Sequence, residues 1–272
     1  MAQLSVLMSI YINEKTEYVQ ACFESLLGQT VQADEWVIVE DGPLTAEMYK
    51  LINRFQMEHP ELIKRVKLNS NQGLGIALRI GVENCSNEII ARMDTDDIAR
   101  QDRFEKQLKE FDIDPELDIC GSQIDEFDDD PDIIVSKRIV PIKHEDIIEY
   151  QKLRDAFNHM TVMYKKKAVL SAGNYQKCPL MEDTYLWARM IMNGSKCLNI
   201  DEALVHVRIG KEMIKRRGGW DYLKKYCYGQ KMVHKTGYTS WFNYIYISSI
   251  QFFVALMPSG MRAIVFKKLL HK

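Results

Sequence analysis

Long uninterrupted apolar runs are scarce in this 272-residue chain. The stretch WFNYIYISSIQFFVALM at 241–257 is 17 residues long. As a helix it would reach about 25 Å, short of the roughly 30 Å hydrocarbon core of a bilayer. A membrane-spanning segment is therefore not expected. The opening MAQLSVLMSIYI has no basic lead and no small-residue cleavage site, so it is read as the first strand of a cytosolic protein rather than a signal peptide. Closely spaced cysteines are also missing. Cys22, Cys85, Cys120, Cys178, Cys197 and Cys227 form no pair at metal-ligand spacing, which points to reduced, mostly buried thiols. There is no internal repeat. The run DEFDDDPD at 125–132 lacks the glycine and glutamate of a calcium loop and is read as a solvated acidic loop. No Gly-rich basic loop follows the first strand, where INEKTEY stands, and no aspartate nucleophile lies on that strand. Those two absences argue against a nucleotidyltransferase and an aspartyl phosphatase.

What is present is uneven. The net charge is −2, yet residues 211–272 carry 12 Lys or Arg against Glu212 and Asp221, leaving −12 on the remainder. An acidic body with a basic tail suggests two tasks. Strand-like LSVLMSIYI at 4–12 is followed by a helix over 17–28 that Thr16 can cap. EWVIVE at 35–40 is a second strand, stopped by Asp41-Gly42-Pro43, and the helix after it ends at about His59, before Pro60. A strand at 64–68, the turn NQGLG, a helix at 74–84 and a strand at 88–93 complete an alternation typical of βαβ units on a parallel sheet.

Ligands of open α/β sheets sit beyond the carboxyl ends of the strands. Three such exits carry polar signals: Ser9, Tyr11 and Asn13; Glu40, Asp41 and Gly42; and Asp94, Asp96 and Asp97 in MDTDD. Crowded carboxylates repel and lose water, and a hard divalent cation, Mg²⁺ or Mn²⁺, relieves both costs. In an extended exit Asp94 and Asp96 would face one side while Asp97 faced the other and capped the next helix, for DDIARQDRFEKQ reads as a helix start. A further acidic pair, Glu182 and Asp183, opens the helix MEDTYLWAR, where it either complements the helix dipole or supplies a general base.

In their order along the chain, SLLGQT, VIVEDG, NQGLGIALRIG, MDTDDIARQDRF, NHMTVMYKKKAVLSAGNY and MEDTYLWARM follow the opening strand LSVLMSIYIN. That series resembles the inverting glycosyltransferases of family 2, from Leu4 to about Gly210, and most closely their bacterial exopolysaccharide, capsule and O-antigen branch. The resemblance implies an α/β protein of the GT-A fold: a Rossmann-like, mostly parallel sheet flanked by helices, catalytic over 1–210. A nucleotide-sugar half would cover about 1–100 and an acceptor half about 101–210, with a helical extension over 211–272. It implies that Ser9, Tyr11 and Asp41 contact the base, usually uracil, with Asn71, Gly73 and Arg79 also near the nucleotide. Asp94 would contact ribose or sugar, and Asp96 and Asp97 would sit at the diphosphate, one of them holding Mn²⁺ or Mg²⁺. Asp183 would be the catalytic base, with Glu182, His159 and Trp187 on the sugar and acceptor side. The chain departs from the pattern at Ser9-Ile10, where proline is common, and at Met160, where proline often follows the histidine. It departs again at Arg208-Ile209-Gly210, which lacks a late histidine; His206 is either a substitute ligand or a packed strand residue.

The implied reaction moves a sugar from a nucleotide-diphosphate donor, a UDP-sugar, to a polyprenyl-diphosphate-linked saccharide. The basic, aromatic tail fits that acceptor. Its last helix, 261–272, puts Val265, Phe266, Leu269 and Leu270 opposite Lys267, Lys268, His271 and Lys272, as in helices that lie in an anionic membrane surface. The expected location is the inner face of the plasma membrane. Packing of the tail against the body or against a second copy in a homodimer stays open. Nucleic acid is not an expected partner, since no nucleic-acid fold accompanies the basic tail. A non-catalytic nucleotide-binding scaffold, or a metal-dependent nucleotidyltransferase, is the rival reading.

Overall fold

The computed structural model describes residues 2–209, 218–258 and 260–262. Gly210, the basic run 211–217 and most of the expected last helix, 263–272, lie outside the described residues.

The amino-terminal part alternates as the sequence suggests: β1 (Leu4–Ile10), α1 (Thr16–Leu27), β2 (Glu35–Glu40), α2 (Ala46–Glu58), β3 (Ile63–Lys67), α3 (Leu74–Asn84) and β4 (Ile89–Arg92). Then come β5 (Ile98–Ala99), α4 (Arg103–Ile113), β6 (Leu117–Phe127), β7 (Ile134–Arg138), α5 (His144–Gln151), a short 3₁₀ turn (His159–Thr161), β8 (Met163–Lys165), α6 (Lys166–Ser171), α7 (Glu182–Met192) and β9 (Lys196–Arg208). Two helices follow, α8 (Gly219–Lys235) and α9 (Trp241–Leu256). The sheet runs β3-β2-β1-β4-β8-β6-β9-β5, with β7 beside β6. Strands β3, β2, β1 and β4 are parallel, as are β6 and β9, while β8 joins the two sets antiparallel to both β4 and β6.

Strand β1 is apolar along most of its length because both faces of the sheet are covered. Val6 and Met8 pack with Phe23, Trp36, Phe55 and Phe104 on the side of α1, α2 and α4. Leu7, Val37 and Val39 pack with Leu78, Phe157 and Trp187 on the side of α3 and α7. Parallel pairing then brings the carboxyl ends of β1, β2 and β4 to one edge: Ile10 lies beside Glu40, and Arg92 beside Leu7.

Three local expectations change. The N-cap of α1 is Lys15, and Thr16 is its first residue. The acidic stretch from Asp125 is no loop at its start, for Asp125, Glu126 and Phe127 are buried in β6. No helix follows Asp97 directly, because Ile98 and Ala99 form β5 against β9 and α4 waits until Arg103. That last segment is pinned by buried Gln29 of GQT, whose amide donates to the Arg100 carbonyl at 2.7 Å and accepts from Phe104 N at 3.1 Å.

The extension packs on the body. Leu223 and Val233 of α8 are buried, and the Tyr238 hydroxyl donates to the Ile148 carbonyl at 2.5 Å. Helix α9 folds back along α8, with Trp220 6.1 Å from Phe252 and His234 4.4 Å from Trp241 between ring centroids. Its outer side leaves Trp241, Phe242, Ile245 and Phe253 more than half exposed. No described helix is long and apolar enough to cross a membrane.

Candidate active site

The sequence MDTDD leaves β4 at Arg92 and turns at once through Thr95 and Asp96. The Asp97 amide points back to the Asp94 carbonyl at 3.4 Å. This turn overrides the alternation expected of an extended exit. Instead of facing opposite sides, Asp94, Asp96 and Asp97 bring one carboxylate oxygen each to within 4.8 Å of one another. Asp97 caps no helix; its Oδ1 accepts from the Arg208 amide at 2.9 Å, which ties the turn to the end of β9. Burial and neighbouring Asp94 push the Asp96 carboxyl up to about 6. Burial, with Asp96 and Asp94 beside it, holds Asp97 well above the usual carboxylate range.

Two charged residues join this group that the sequence reading passed over. Glu14, in the turn after β1, is pushed up to about 8 by burial and by Asp96 and Asp94. It followed Asn13 in the exit already singled out, which was the one available signal. Arg92 lies under the cluster, 1% exposed, with Nη2 2.5 Å from Asp94 Oδ1. Burial disfavours its charge, but Asp94 more than offsets that and keeps the guanidinium protonated. Arg103 fixes the backbone here by donating to the Arg92 carbonyl at 2.7 Å. The nearest hint to Arg92 was a charged residue inside an otherwise apolar strand, IIAR.

At the second exit, Asp41 is buried and both its oxygens are engaged by the NQGLG loop. Oδ1 accepts from Gln72 N at 2.6 Å and Oδ2 from Gly73 N at 3.0 Å. The Asn71 amide donates to the Asp41 carbonyl at 3.3 Å. Gly42 permits this closeness: it has φ +89°, and a Cβ there would stand 2.6 Å from Asn71 N. Ser9 and Tyr11 are half-buried at the end of β1 and just beyond it. Arg79 does not join them. It is 53% exposed on α3 and pairs with Glu83 one turn on, at 3.4 Å.

Helix α7 presents the third element. Asp183 accepts from its neighbour's amide, Thr184 N, at 2.7 Å, and the Thr184 hydroxyl donates to Asp155. Burial, then Asp155 and Glu182, push the Asp183 carboxyl up to about 8. Glu182 is raised by burial and sits against Gly75 of α3, with its Cβ 3.1 Å from where a Gly75 side chain would begin. His159 Nε2 is 2.9 Å from the Tyr175 hydroxyl, and its Nδ1 is 3.9 Å from Asp183 Oδ2. Burial, helped by Arg92, holds His159 well below its ordinary range, so the ring is neutral. The Arg92 charge reaches the aspartate cluster, His159, Glu182 and Asp183 alike, so these groups share one neighbourhood.

Two candidates fall away. Trp187 has no exposed surface; it is wedged among Phe157, Tyr164 and Tyr175 because α7 turns that face to the sheet, so it supports His159 from beneath and meets no ligand directly. His206 is no member of the carboxylate group among the described residues. It faces a separate cavity of about 440 Å³ with Thr30, Arg100, Asp102 and Asp132, while Arg208, two residues further along β9, reaches the turn. Arg208 does join the site. Its Nε donates to the Asp96 carbonyl at 3.3 Å, and its guanidinium lies 3.9 Å from the Tyr18 ring centre and 4.5 Å from that of Phe127.

Three comparisons bear on this arrangement. Residues 5–171 match the family model described as "Glycosyl transferase family 2". The chain is 37% identical over 269 residues to the amylovoran biosynthesis glycosyltransferase AmsE of Erwinia amylovora, covering 97% of this chain and 98% of the relative. It is 33% identical over 270 residues to the UDP-Gal:alpha-D-GlcNAc-diphosphoundecaprenol beta-1,3-galactosyltransferase of Escherichia coli, covering 99% and 97%. Among solved structures, the mannosyltransferase PcManGT of Pyrobaculum calidifontis, in complex with GDP-Man and Mn²⁺, superposes with a TM-score of 0.65 at 13% identity, over 98% of this chain and 76% of that one. The fold is thus the GT-A glycosyltransferase fold.

Proposed function

This chain belongs to glycosyltransferase family 2, and we propose that it transfers a sugar from a UDP-sugar to a hydroxyl of a lipid-linked saccharide, in the building of a bacterial surface polysaccharide. The observation that carries this reading is the meeting of the Asp94–Asp96–Asp97 group with Asp183 around Arg92. The donor and acceptor classes are supported by the relative whose name gives UDP-Gal and GlcNAc-diphosphoundecaprenol.

The three clustered carboxylates fit a hard divalent cation, Mn²⁺ or Mg²⁺: they offer oxygen alone, and burial together with their crowding raises Asp96 and Asp97. Held by these carboxylates, such an ion would supply positive charge to offset the charge that grows on a leaving diphosphate. The chain's own residues do the rest. Ser9, Tyr11 and the loop held by Asp41 receive the nucleotide. Asp183 takes the proton of the acceptor hydroxyl as that oxygen bonds to the anomeric carbon. The bond from that carbon to the diphosphate breaks, and the diphosphate leaves with the electron pair. Attack from the far face inverts the configuration. A carboxyl raised to about 8 is a stronger base than an ordinary aspartate and so suits this role near neutral pH. The exposed apolar side of α9 docks on the inner face of the plasma membrane, where a lipid-linked acceptor resides.

The test uses the whole protein with Mn²⁺ and a panel of nucleotide sugars, reading both thermal stabilisation and transfer to lipid-diphosphate N-acetylglucosamine. UDP-sugars should stabilise the protein only with metal present, and Asp183→Asn should bind donor but transfer nothing. Donor binding lost in step with turnover would refute the base assignment.

A further inference from the structure

We infer that Tyr175 and His159 are positioning residues for the base: the Tyr175 hydroxyl fixes His159 in the form whose Nδ1–H faces the Asp183 carboxylate. This rests on the transfer reading above, in which Asp183 takes the acceptor proton, and adds what holds that carboxylate ready.

The three residues stand on separate, pinned segments. His159 opens the 3₁₀ turn, where the Asn158 amide donates to the Ser122 carbonyl at 2.8 Å and the Thr161 hydroxyl donates to the Asn158 carbonyl at 2.8 Å. Tyr175 follows Asn174, whose carbonyl accepts from Arg189 of α7 at 2.8 Å. Asp183 opens α7 itself. Trp187, with no exposed surface, meets the His159 ring edge-on at 6.0 Å between centroids and limits its rotation. The ring is thereby aimed with Nε2 at the Tyr175 hydroxyl and Nδ1 at Asp183.

Burial and Arg92 keep the ring neutral, so one nitrogen carries a hydrogen and the other a lone pair. What each nitrogen meets sets which is which. Tyr164 decides the order here, for its hydroxyl is buried beside that of Tyr175. If Tyr164 donates to the Tyr175 oxygen, Tyr175 donates to Nε2, and the ring hydrogen sits on Nδ1. All three hydrogens then have a direction to go. The opposite order leaves the Tyr164 hydrogen with no acceptor and turns a lone pair toward an ionised carboxylate.

An Nδ1–H beside Asp183 favours its charged form. Burial, Asp155 after α5 and Glu182 on α7 oppose that form, and Arg92 at the end of β4 favours it. Cys178 and Tyr175, before α7, are pushed up by burial and stay neutral, as does Tyr226 of α8. At 3.9 Å the contact is longer than a hydrogen bond. Bonds of this kind often tighten once substrate binds, and the Asp183 side chain, 22% exposed, has room to turn. One such bond is worth about one pKa unit, tenfold in the ionised fraction.

The experiment follows kcat of the whole protein from pH 5.5 to 9, with saturating Mg²⁺, short-chain lipid-diphosphate N-acetylglucosamine and whichever UDP-sugar of the panel gives product. His159→Phe should move the acid limb of the profile up by about one unit, a loss of about tenfold below the limb. His159→Asn, whose amide nitrogen stands about where Nδ1 does, should keep the limb near its wild-type position. Tyr175→Phe, which frees the ring to take either form, should move it in the same direction by less. Should the Phe variant at 159 fail to fold, His159→Gln, with its amide at the Nε2 position, should show the same shift. A limb unmoved in the folded variants, a kcat lowered equally at every pH, or a limb moved as far by Asn as by Phe overturns the positioning role while leaving Asp183 as base. Asp183→Asn that still turns over, or wild-type protein that transfers from no member of the panel, overturns both.

Discussion

Replacing Asp183 by asparagine should make the protein more stable while it abolishes transfer. Burial, Asp155 and Glu182 raise the Asp183 carboxyl from 3.8 to about 8. Between those values the folded protein keeps a proton that the unfolded chain has released. Stability therefore falls as pH rises through this window, by about 1.36 kcal/mol per unit for one proton. Below the window both states are protonated, and above it both are ionised, so the slope vanishes at either end. The whole interval corresponds to an upper limit of about 6 kcal/mol. Because the side chain is 22% exposed, water recovers part of the cost, and about 2–4 kcal/mol is the expected gain. Asparagine has no charge to bury and keeps an oxygen for the bond from Thr184 N, 2.7 Å long in the native site. Urea unfolding of both proteins in metal-free buffer, at pH values from 4 to 8.5, measures the difference directly. The variant should gain most at pH 8 and nothing at pH 4. A variant less stable than wild type at pH 8, or a difference that ignores pH, would refute this account of the base.

Other outcomes follow from the same geometry. Mn²⁺ should raise the melting temperature more at pH 7.5 than at pH 5.5, because Asp96, raised to about 6, must lose its proton to bind; Asp96→Asn should remove most of the shift, and an equal shift in that variant would count against the cluster as ligand. Gly42→Ala forces a side chain onto φ +89° and against Asn71 N. It should cost about 2 kcal/mol or more and weaken UDP binding, which unfolding and titration would reveal together. The double variant Phe242→Glu, Phe253→Glu should fold normally, as both rings are mostly exposed, yet lose co-flotation with vesicles containing anionic lipid. Retained flotation would remove α9 from the membrane reading. Arg92→Met should destabilise by about 3–5 kcal/mol, since Asp94 loses its buried partner, and thermal melts would expose any smaller effect.

The βαβ alternation through β4 was legible because its signals are local: apolar runs of strand length, and breakers such as Asp41-Gly42-Pro43 and Pro60. The acidic exits were legible because parallel strands share one edge, so a rule about sheets sufficed to bring Asp41 and the 94–97 group together. The base candidate Asp183 was legible as one of two acids opening a helix, where local pattern leaves a dipole partner and a general base as alternatives. Tertiary structure decided what local pattern cannot carry. The turn after β4, held by Arg208 from 111 residues away, reversed the expected facing of Asp97. Helix α7 packs flat on the sheet, which buried Trp187 and left Asp183 at the rim. His206 was left lining a separate cavity, whereas Arg208 at the end of β9 reaches the turn. Glu14 and Arg92 gained their roles solely from the charges that folding set beside them. Strands and helices are chosen by neighbours in sequence, whereas a carboxylate's protonation and partners depend on burial and on charges a few ångströms off, which residues distant in the chain supply.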